Sequence, residues 1–306
     1  MISVLTPTYN RVYILGNAFE SLKRQTCEDF EWIIVDDGST DETESLVKSW
    51  EKDDLSFNLC YIKQENGGKH RAVNKGVAMA KGEFVIILDS DDYLTDNAIE
   101  KICDWTNSIK GDDSFAGVSG LRGWINKDGY VGGSGNLQGT GYIDAKNTER
   151  RKYHLEGDKA EVYRTEILRK FPFPEFEGEK FLSEHVVWDA IANAGYKIRW
   201  YNEIIYKCEY LDDGLTYQGR KFDILLNNFN GFTLSTKIYM SWEPFLLKYI
   251  EIGKYYKVAK LKGKSRAEIK DALSVNNLQI FLAKILCSFN EFRIKIKACR
   301  QKNGNR

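Results

Sequence analysis

The chain has 306 residues, with 44 Lys or Arg against 44 Asp or Glu, and its 42% hydrophobic and 29% charged content excludes a disordered or low-complexity chain. The zero balance hides an asymmetry: residues 257–306 hold 13 Lys or Arg against 3 Asp or Glu, which leaves an acidic body and a basic tail. Six scattered cysteines without a CxxC pair argue against a zinc site or disulfide framework, and the absence of a signal-like start or a long apolar run predicts a cytosolic chain without a membrane span.

Residues 2–5 form a β-rich run that the proline of Thr6-Pro7-Thr8-Tyr9 is expected to end. Asn10 is placed to cap a helix over 11–25, with Ile14, Leu15, Ala18, Phe19 and Leu22 at helical spacing. A second strand, 32–35, runs into Asp36-Asp37-Gly38-Ser39. Ser39 and Glu42 have capping-box spacing for a helix reaching about residue 50, and a third strand follows at 59–62. Gly67 and Gly68 permit close backbone approach, and 69–79 reads as a helix. The N–H groups at its start, with Lys69 and Arg71, suit a phosphate or ribose; a tight turn with solvated basic residues is the plainer alternative.

The most informative stretch is FVIILDSDD, residues 84–92. Five apolar residues, rich in Val and Ile, predict a strand buried on both faces of a parallel sheet. The carboxylates of Asp89, Asp91 and Asp92 then fall at its carboxyl end, where open α/β sheets bind ligands. Hard oxygen donors with open positions left over suit Mg²⁺ or Mn²⁺ shared with a phosphate group. A helix over 95–109, capped by Thr95, completes four strand–helix alternations, so a doubly wound, mostly parallel sheet is predicted.

From 115 to 143 the chain turns glycine-rich and reads as hairpins and a mobile loop or lid. A strand near 160, a helix from Thr165 and the proline-broken FPFPEFEGEKF follow. Residues 184–194 read as a helix stopped by Gly195, and strands near 197–201 and 204–209 close the unit. Beyond about 216 the pattern is helical. In the last helix Leu278, Phe281, Leu282, Ile285, Phe289, Phe292 and Ile296 share one stripe, with Lys284, Arg293, Lys295 and Lys297 outside it. Such a helix either lies in an anionic membrane interface or packs its stripe on the catalytic domain.

Five stretches in this order resemble the family 2, GT-A type glycosyltransferases over residues 1–215: VLTPTYNR, VDDGSTDET, NGGKHRAVNKGVAMAKGE, the DSD of LDSDD, and EGEKFLSEHVVW. The resemblance implies a Rossmann-like α/β catalytic domain (1–110 for the nucleotide, 111–215 for the acceptor) with a basic helical extension over 216–306. It also implies a donor that is a nucleotide sugar, most often UDP-linked. By motif position Thr6, Pro7, Thr8 and Tyr9 would border the base, Asp36 would bind the uracil edge and Lys69 would lie near the nucleotide. Asp89 and Ser90 would face the donor, with Asp89 and Asp91 on Mn²⁺ or Mg²⁺; Asp92 could meet the acceptor or cap a turn, and Asp37 could equally hold the Gly38-Ser39 turn or touch ligand.

The family places its base in a Glu-Asp pair at a helix start, and this chain reads Glu184-His185 there. A helix amino terminus favours negative charge, which selects Glu184 over His185. The expected activity is inverting, metal-dependent transfer of a hexosyl or N-acetylhexosaminyl group to a glycan or lipid-linked acceptor of a surface polysaccharide, with no nucleic-acid partner. A noncatalytic partner in glycan assembly is the alternative. A sugar nucleotidyltransferase fits less well, because TPTYNR lacks the glycine-rich loop expected after its first strand.

Overall fold

A computed structural model of the chain describes residues 1–135, 141–211, 214 and 222–304, with side chains described through residue 290. The chain forms two compact units: Met1–Glu175 with Val187–Leu211, and Phe176–Val186 with Asp212–Arg306.

The first unit is built on a nine-stranded sheet of order β3-β2-β1-β4-β8-β6-β9-β5, with β7 also paired to β9. Its parallel half comprises β1 (Ile2–Thr8), β2 (Phe30–Asp36), β3 (Asn58–Lys63) and β4 (Phe84–Ile87). Every residue of β1 and β2 is buried, which explains why both strands read as continuous apolar runs without alternation. Between these strands lie α1 (Gly16–Lys23), α2 (Thr43–Trp50) and α3 (Lys69–Met79). Phe19, Trp32 and Trp50 stack on one another and fix the first two helices on the sheet.

Four local expectations are corrected, the first being Thr95: the helix after it begins at Ala98 with Asn97 at the N-cap position, and the Thr95 hydroxyl bonds the Asn97 side chain. β1 runs through Pro7 to Thr8, because β4 pairs with β1 only as far as Leu5. The N–H that proline lacks would point to the side β4 has already left, so no ladder bond is lost. Asn10 does not cap α1; it adopts a left-handed φ of 53° and its side chain accepts the Thr40 N–H at 2.8 Å. Ser39 likewise caps no helix. Its hydroxyl accepts the Asn10 N–H, while Asp41 holds the N–H and hydroxyl of Thr43 at the start of α2.

After the short β5 (Tyr93–Leu94) and α4 (Ala98–Asn107), the segment expected to be hairpin and lid begins instead with a ten-residue strand, β6 (Phe115–Trp124). It lies antiparallel to β8 (Lys159–Arg164) and parallel to β9 (Lys197–Cys208). Its glycines serve close packing: a Cβ at Gly117 would stand 1.9 Å from the Val162 carbonyl oxygen. Residues 136–140 of the expected lid lie outside the described residues. The two strands expected after 197 are one, β9, with register shifts opposite Ser119–Arg122. The edge strand β7 (Tyr142–Ala145), a 3-10 turn (Asn147–Tyr153), α5 (Thr165–Lys170) and α6 (His185–Asn193) complete this part of the chain.

The second unit contains α7 (Phe222–Asn227), α8 (Phe229–Trp242), α9 (Phe245–Leu261), α10 (Arg266–Leu273) and α11 (Asn277–Gly304). Phe229, Phe232, Ile252, Tyr255, Val258, Ile280 and Ala283 form its core. The loop before α6 belongs here by its capping: Glu179 accepts the N–H groups of Asn230 and Gly231 at 2.7 and 2.8 Å, and Asn228 accepts those of Lys180 and Phe181. Helix α11 buries Ile280, Ala283 and Cys287, and Gly253 of α9 is in such close contact that a Cβ there would meet Cys287 Cβ at 2.4 Å. Leu278, Phe281, Ile285 and Phe289 are 50–64% exposed on the opposite side. Leu282, assigned to that stripe by its spacing, is partly buried against the core, and the side chains of Phe292 and Ile296 lie outside the described residues.

Candidate active site

The parallel register brings the ends of β1, β2 and β4 to one edge of the sheet. Thr8 is level with Asp36, and Leu88 N–H donates to Leu5 O at 2.9 Å as the chain leaves β4. The residues predicted for the donor and the cation therefore gather at one end of the parallel half, where ligands of open α/β sheets bind.

Thr6 is buried and its hydroxyl accepts the Trp32 indole N–H; Thr8 is buried with its hydroxyl unpartnered among the described residues; Tyr9 is exposed. Asp36 is fully buried. One oxygen accepts the Ser39 N–H at 2.7 Å and the other the Tyr61 hydroxyl at 2.5 Å, and carboxylate oxygens retain lone pairs for a further donor. Asp37 turns away and accepts from Gly67 N, Gly68 N, Gln64 Nε2 and Asn66 Nδ2, at 2.7 to 3.0 Å. The glycine turn before α3 is thus folded around a buried carboxylate. Gly68, at φ 98°, takes a conformation that other residues resist.

Lys69, the first residue of α3, pairs with one oxygen of Asp89. The other Asp89 oxygen faces Arg122 Nη1 at 3.3 Å, and the same nitrogen lies 3.7 Å from Asp92. Burial works against the Asp89 charge, but the two cations outweigh it and hold its carboxyl below the usual range. The Asp89 N–H donates to the hydroxyl of Tyr206 on β9, which also bonds the Asp92 carboxylate. Asp92 is 4% exposed, and burial, reinforced by the Asp89 charge, pushes its carboxyl up to about 8. Ser90, which follows Asp89 in the chain, is buried.

Asp91 differs from its neighbours. It is half-buried and, among the described residues, its side chain has no hydrogen bond besides that from its own backbone N–H. Burial and the nearby Asp89 charge both raise its carboxyl, and a cation at this point would relieve both. Among the described residues no group of three or more His, Cys, Asp or Glu side chains forms a self-sufficient metal cage. One or two carboxylates with open positions still fit Mg²⁺ or Mn²⁺, which complete their shells with water and phosphate oxygens.

Glu184 and His185 lie in the second unit, at the start of α6. The His185 ring is held on both sides: Nδ1 is 2.8 Å from the Ser183 hydroxyl and Nε2 is 3.1 Å from that of Ser235. Arg122, Tyr206 and Tyr61 were not anticipated from the sequence. The first stood in a stretch read as loop, and the only signal was a charge inside the otherwise apolar and glycine run AGVSGLRGW.

The profile of Glycosyl transferase family 2 matches residues 3–171. A GalNAc(5)-diNAcBac-PP-undecaprenol beta-1,3-glucosyltransferase of Campylobacter jejuni is 32% identical over 194 residues, 61% of this chain and 58% of the relative. The teichuronic acid biosynthesis glycosyltransferase TuaG of Bacillus subtilis, described as putative, is 35% identical over 119 residues, 39% of this chain and 47% of TuaG. The chain thus matches about a third to three-fifths of the length of such curated relatives. Among solved structures, S. aureus TarS 1-349 in complex with UDP-GlcNAc superposes with a TM-score of 0.58 at 21% identity, covering 92% of this chain and 79% of that one. A Pyrobaculum calidifontis mannosyltransferase in complex with GDP-Man and Mn2+ gives 0.51 at 18% identity, covering 93% and 73%. These likenesses establish the α/β GT-A type fold, and with a family profile spanning more than half its length the chain belongs to glycosyl transferase family 2.

Proposed function

We propose that the chain transfers a sugar from a UDP-sugar to a hydroxyl of a glycan or lipid-linked acceptor in surface-polysaccharide assembly, with inversion at the anomeric carbon. The observation that carries this reading is the end of β4, where Asp91 stands open beside carboxylates already balanced by Lys69 and Arg122. The relatives support the substrate classes: TarS was solved with UDP-GlcNAc, and the Campylobacter enzyme is named for an undecaprenol diphosphate-linked acceptor.

In this reading residues 1–110 hold the nucleotide and 111–215 receive the acceptor. Thr6, Pro7, Thr8 and Tyr9 border the base, and Asp36, oriented by Tyr61 and Ser39, accepts from the uracil edge. Lys69, Asp89 and Ser90 face the ribose and diphosphate. Asp91 would hold Mn²⁺ or Mg²⁺, which when bound offsets negative charge on the departing diphosphate, while Asp89 beside it is paired with Lys69 and Arg122. Glu184 takes the proton from the attacking hydroxyl, while the serine contacts on both His185 ring nitrogens suit that residue to a structural role.

The basic helical extension places the protein peripherally on the inner face of the membrane. Four apolar residues of α11 face outward while the opposite side of the helix is buried, so the stripe is free to enter a bilayer interface. Among the described residues no single helix is long and apolar enough to cross a membrane.

The test is turnover on a panel of UDP-sugars with Mn²⁺ or with EDTA. One donor should release UDP only with the cation, and Asp91→Ala should abolish that release while leaving the melting temperature unchanged. Cation-independent turnover, or full activity in the variant, would remove the metal site from the mechanism.

A further inference from the structure

Three carboxylates crowd the end of β4, yet they are not equally available. Arg122 is 13% exposed at the side chain and lies with its guanidinium carbon 4.3 Å from the centre of the Tyr206 ring. Its Nε donates to the Lys159 carbonyl at 2.8 Å, which fixes the fork from behind. From that seat Nη1 reaches Asp89 Oδ2 at 3.3 Å and Asp92 Oδ2 at 3.7 Å. Lys69 holds the remaining Asp89 oxygen, and the second Asp92 oxygen is buried with no partner among the described residues. Of the three, Asp91 alone forms no salt bridge among the described residues.

We infer that Arg122 is a positioning residue that sets the cation capacity of the site: it withholds Asp89 and Asp92 from a divalent ion and leaves Asp91 as the carboxylate that binds it. The inference rests on the reading of this edge as a cation and diphosphate site. Three uncompensated carboxylates would bind a divalent cation tightly even without donor. With Lys69 and Arg122 in place much of that negative charge is offset, so the ion is held well only when diphosphate oxygens complete its shell. Binding of the cation then becomes coupled to binding of the donor. The planar fork, stacked on Tyr206 and hydrogen-bonded to the Lys159 carbonyl and to Asp89, serves this role better than a lysine on a flexible stem.

The experiment measures Mn²⁺ affinity by electron paramagnetic resonance of the free ion, without nucleotide, for the full chain and for Arg122→Gln, Asp92→Asn and Asp91→Asn. Arg122→Gln should bind Mn²⁺ about tenfold tighter or more while losing donor turnover, because the site gains net negative charge. A purely structural arginine predicts the opposite, with Mn²⁺ affinity and turnover falling together. Asp92→Asn, which keeps the arginine, should leave Mn²⁺ affinity within about twofold, whereas Asp91→Asn should abolish binding. Unchanged or weaker Mn²⁺ binding by Arg122→Gln overturns the inference, and so does a tenfold loss in Asp92→Asn should the arginine variant fail to fold. The Mn²⁺ affinities are read without substrate. A chain that binds Mn²⁺ as described but turns over no nucleotide sugar would therefore refute the functional reading and leave this one standing.

Discussion

Replacing Asp37 by alanine should damage the protein more than any change at the exposed rim of the site. Asp37 is 3% exposed and its two oxygens accept four hydrogen bonds, from Gly67 N, Gly68 N, Gln64 Nε2 and Asn66 Nδ2. Gln64 and Asn66 are half-exposed and can turn to water, but the two glycine N–H groups cannot leave the turn without unwinding the start of α3. A hydrogen bond to a charged acceptor contributes about 1.5–3 kcal/mol, so loss of the two backbone bonds should cost about 3–6 kcal/mol. Asp37→Asn should cost nearly as much, since an amide NH₂ would then face an N–H donor. Urea unfolding followed by tryptophan fluorescence suits the measurement, because six of the seven tryptophans (32, 50, 105, 124, 188 and 200) lie in the first unit. A loss below about 1 kcal/mol in both variants would show that the glycine turn is held by something other than this carboxylate.

Glu184→Gln should lose transfer by orders of magnitude while still binding donor, and His185→Asn should keep much of its rate; the reverse pattern would assign the base to His185. His70 is buried and burial lowers its imidazole to about 4, so the unfolded chain takes up a proton near 6.5 that the folded chain refuses. The stability it contributes is complete above about pH 6.5 and falls by about 3 kcal/mol as the pH drops to about 4. His70→Gln should flatten that slope in urea midpoints taken across the window, and an unchanged slope would point to other groups. Phe281→Glu with Phe289→Glu should abolish co-sedimentation with anionic lipid vesicles without lowering stability, since both rings are more than half exposed; binding that survives both changes would place the contact elsewhere.

The parallel half of the sheet was legible because its physics is local. β1, β2 and β4 are buried on both faces and read as continuous apolar runs, and each ends in polar residues at the edge where ligands bind. The mixed half was not, because β6 is rich in glycine for packing and glycine in a sequence also marks loops. Arg122 went unseen for the same reason. Capping was misjudged at Asn10 and Ser39, where the partner is a loop about thirty residues away and not the helix that follows. Asp37 was expected to be structural in the Gly38-Ser39 turn or to touch ligand. That turn is held by Asp36, and Asp37 serves the distant glycine pair, a pairing that register across β2 and β3 creates and linear spacing does not reveal.

Calorimetric binding of UDP tests the central claim most directly, since it needs neither the acceptor nor the identity of the sugar. UDP should bind the wild-type chain more tightly with Mn²⁺ than with EDTA, Asp91→Ala should abolish that gain, and Asp36→Asn should weaken binding with or without the cation. UDP affinity that ignores both the cation and Asp91, or no binding of UDP at all, would contradict it.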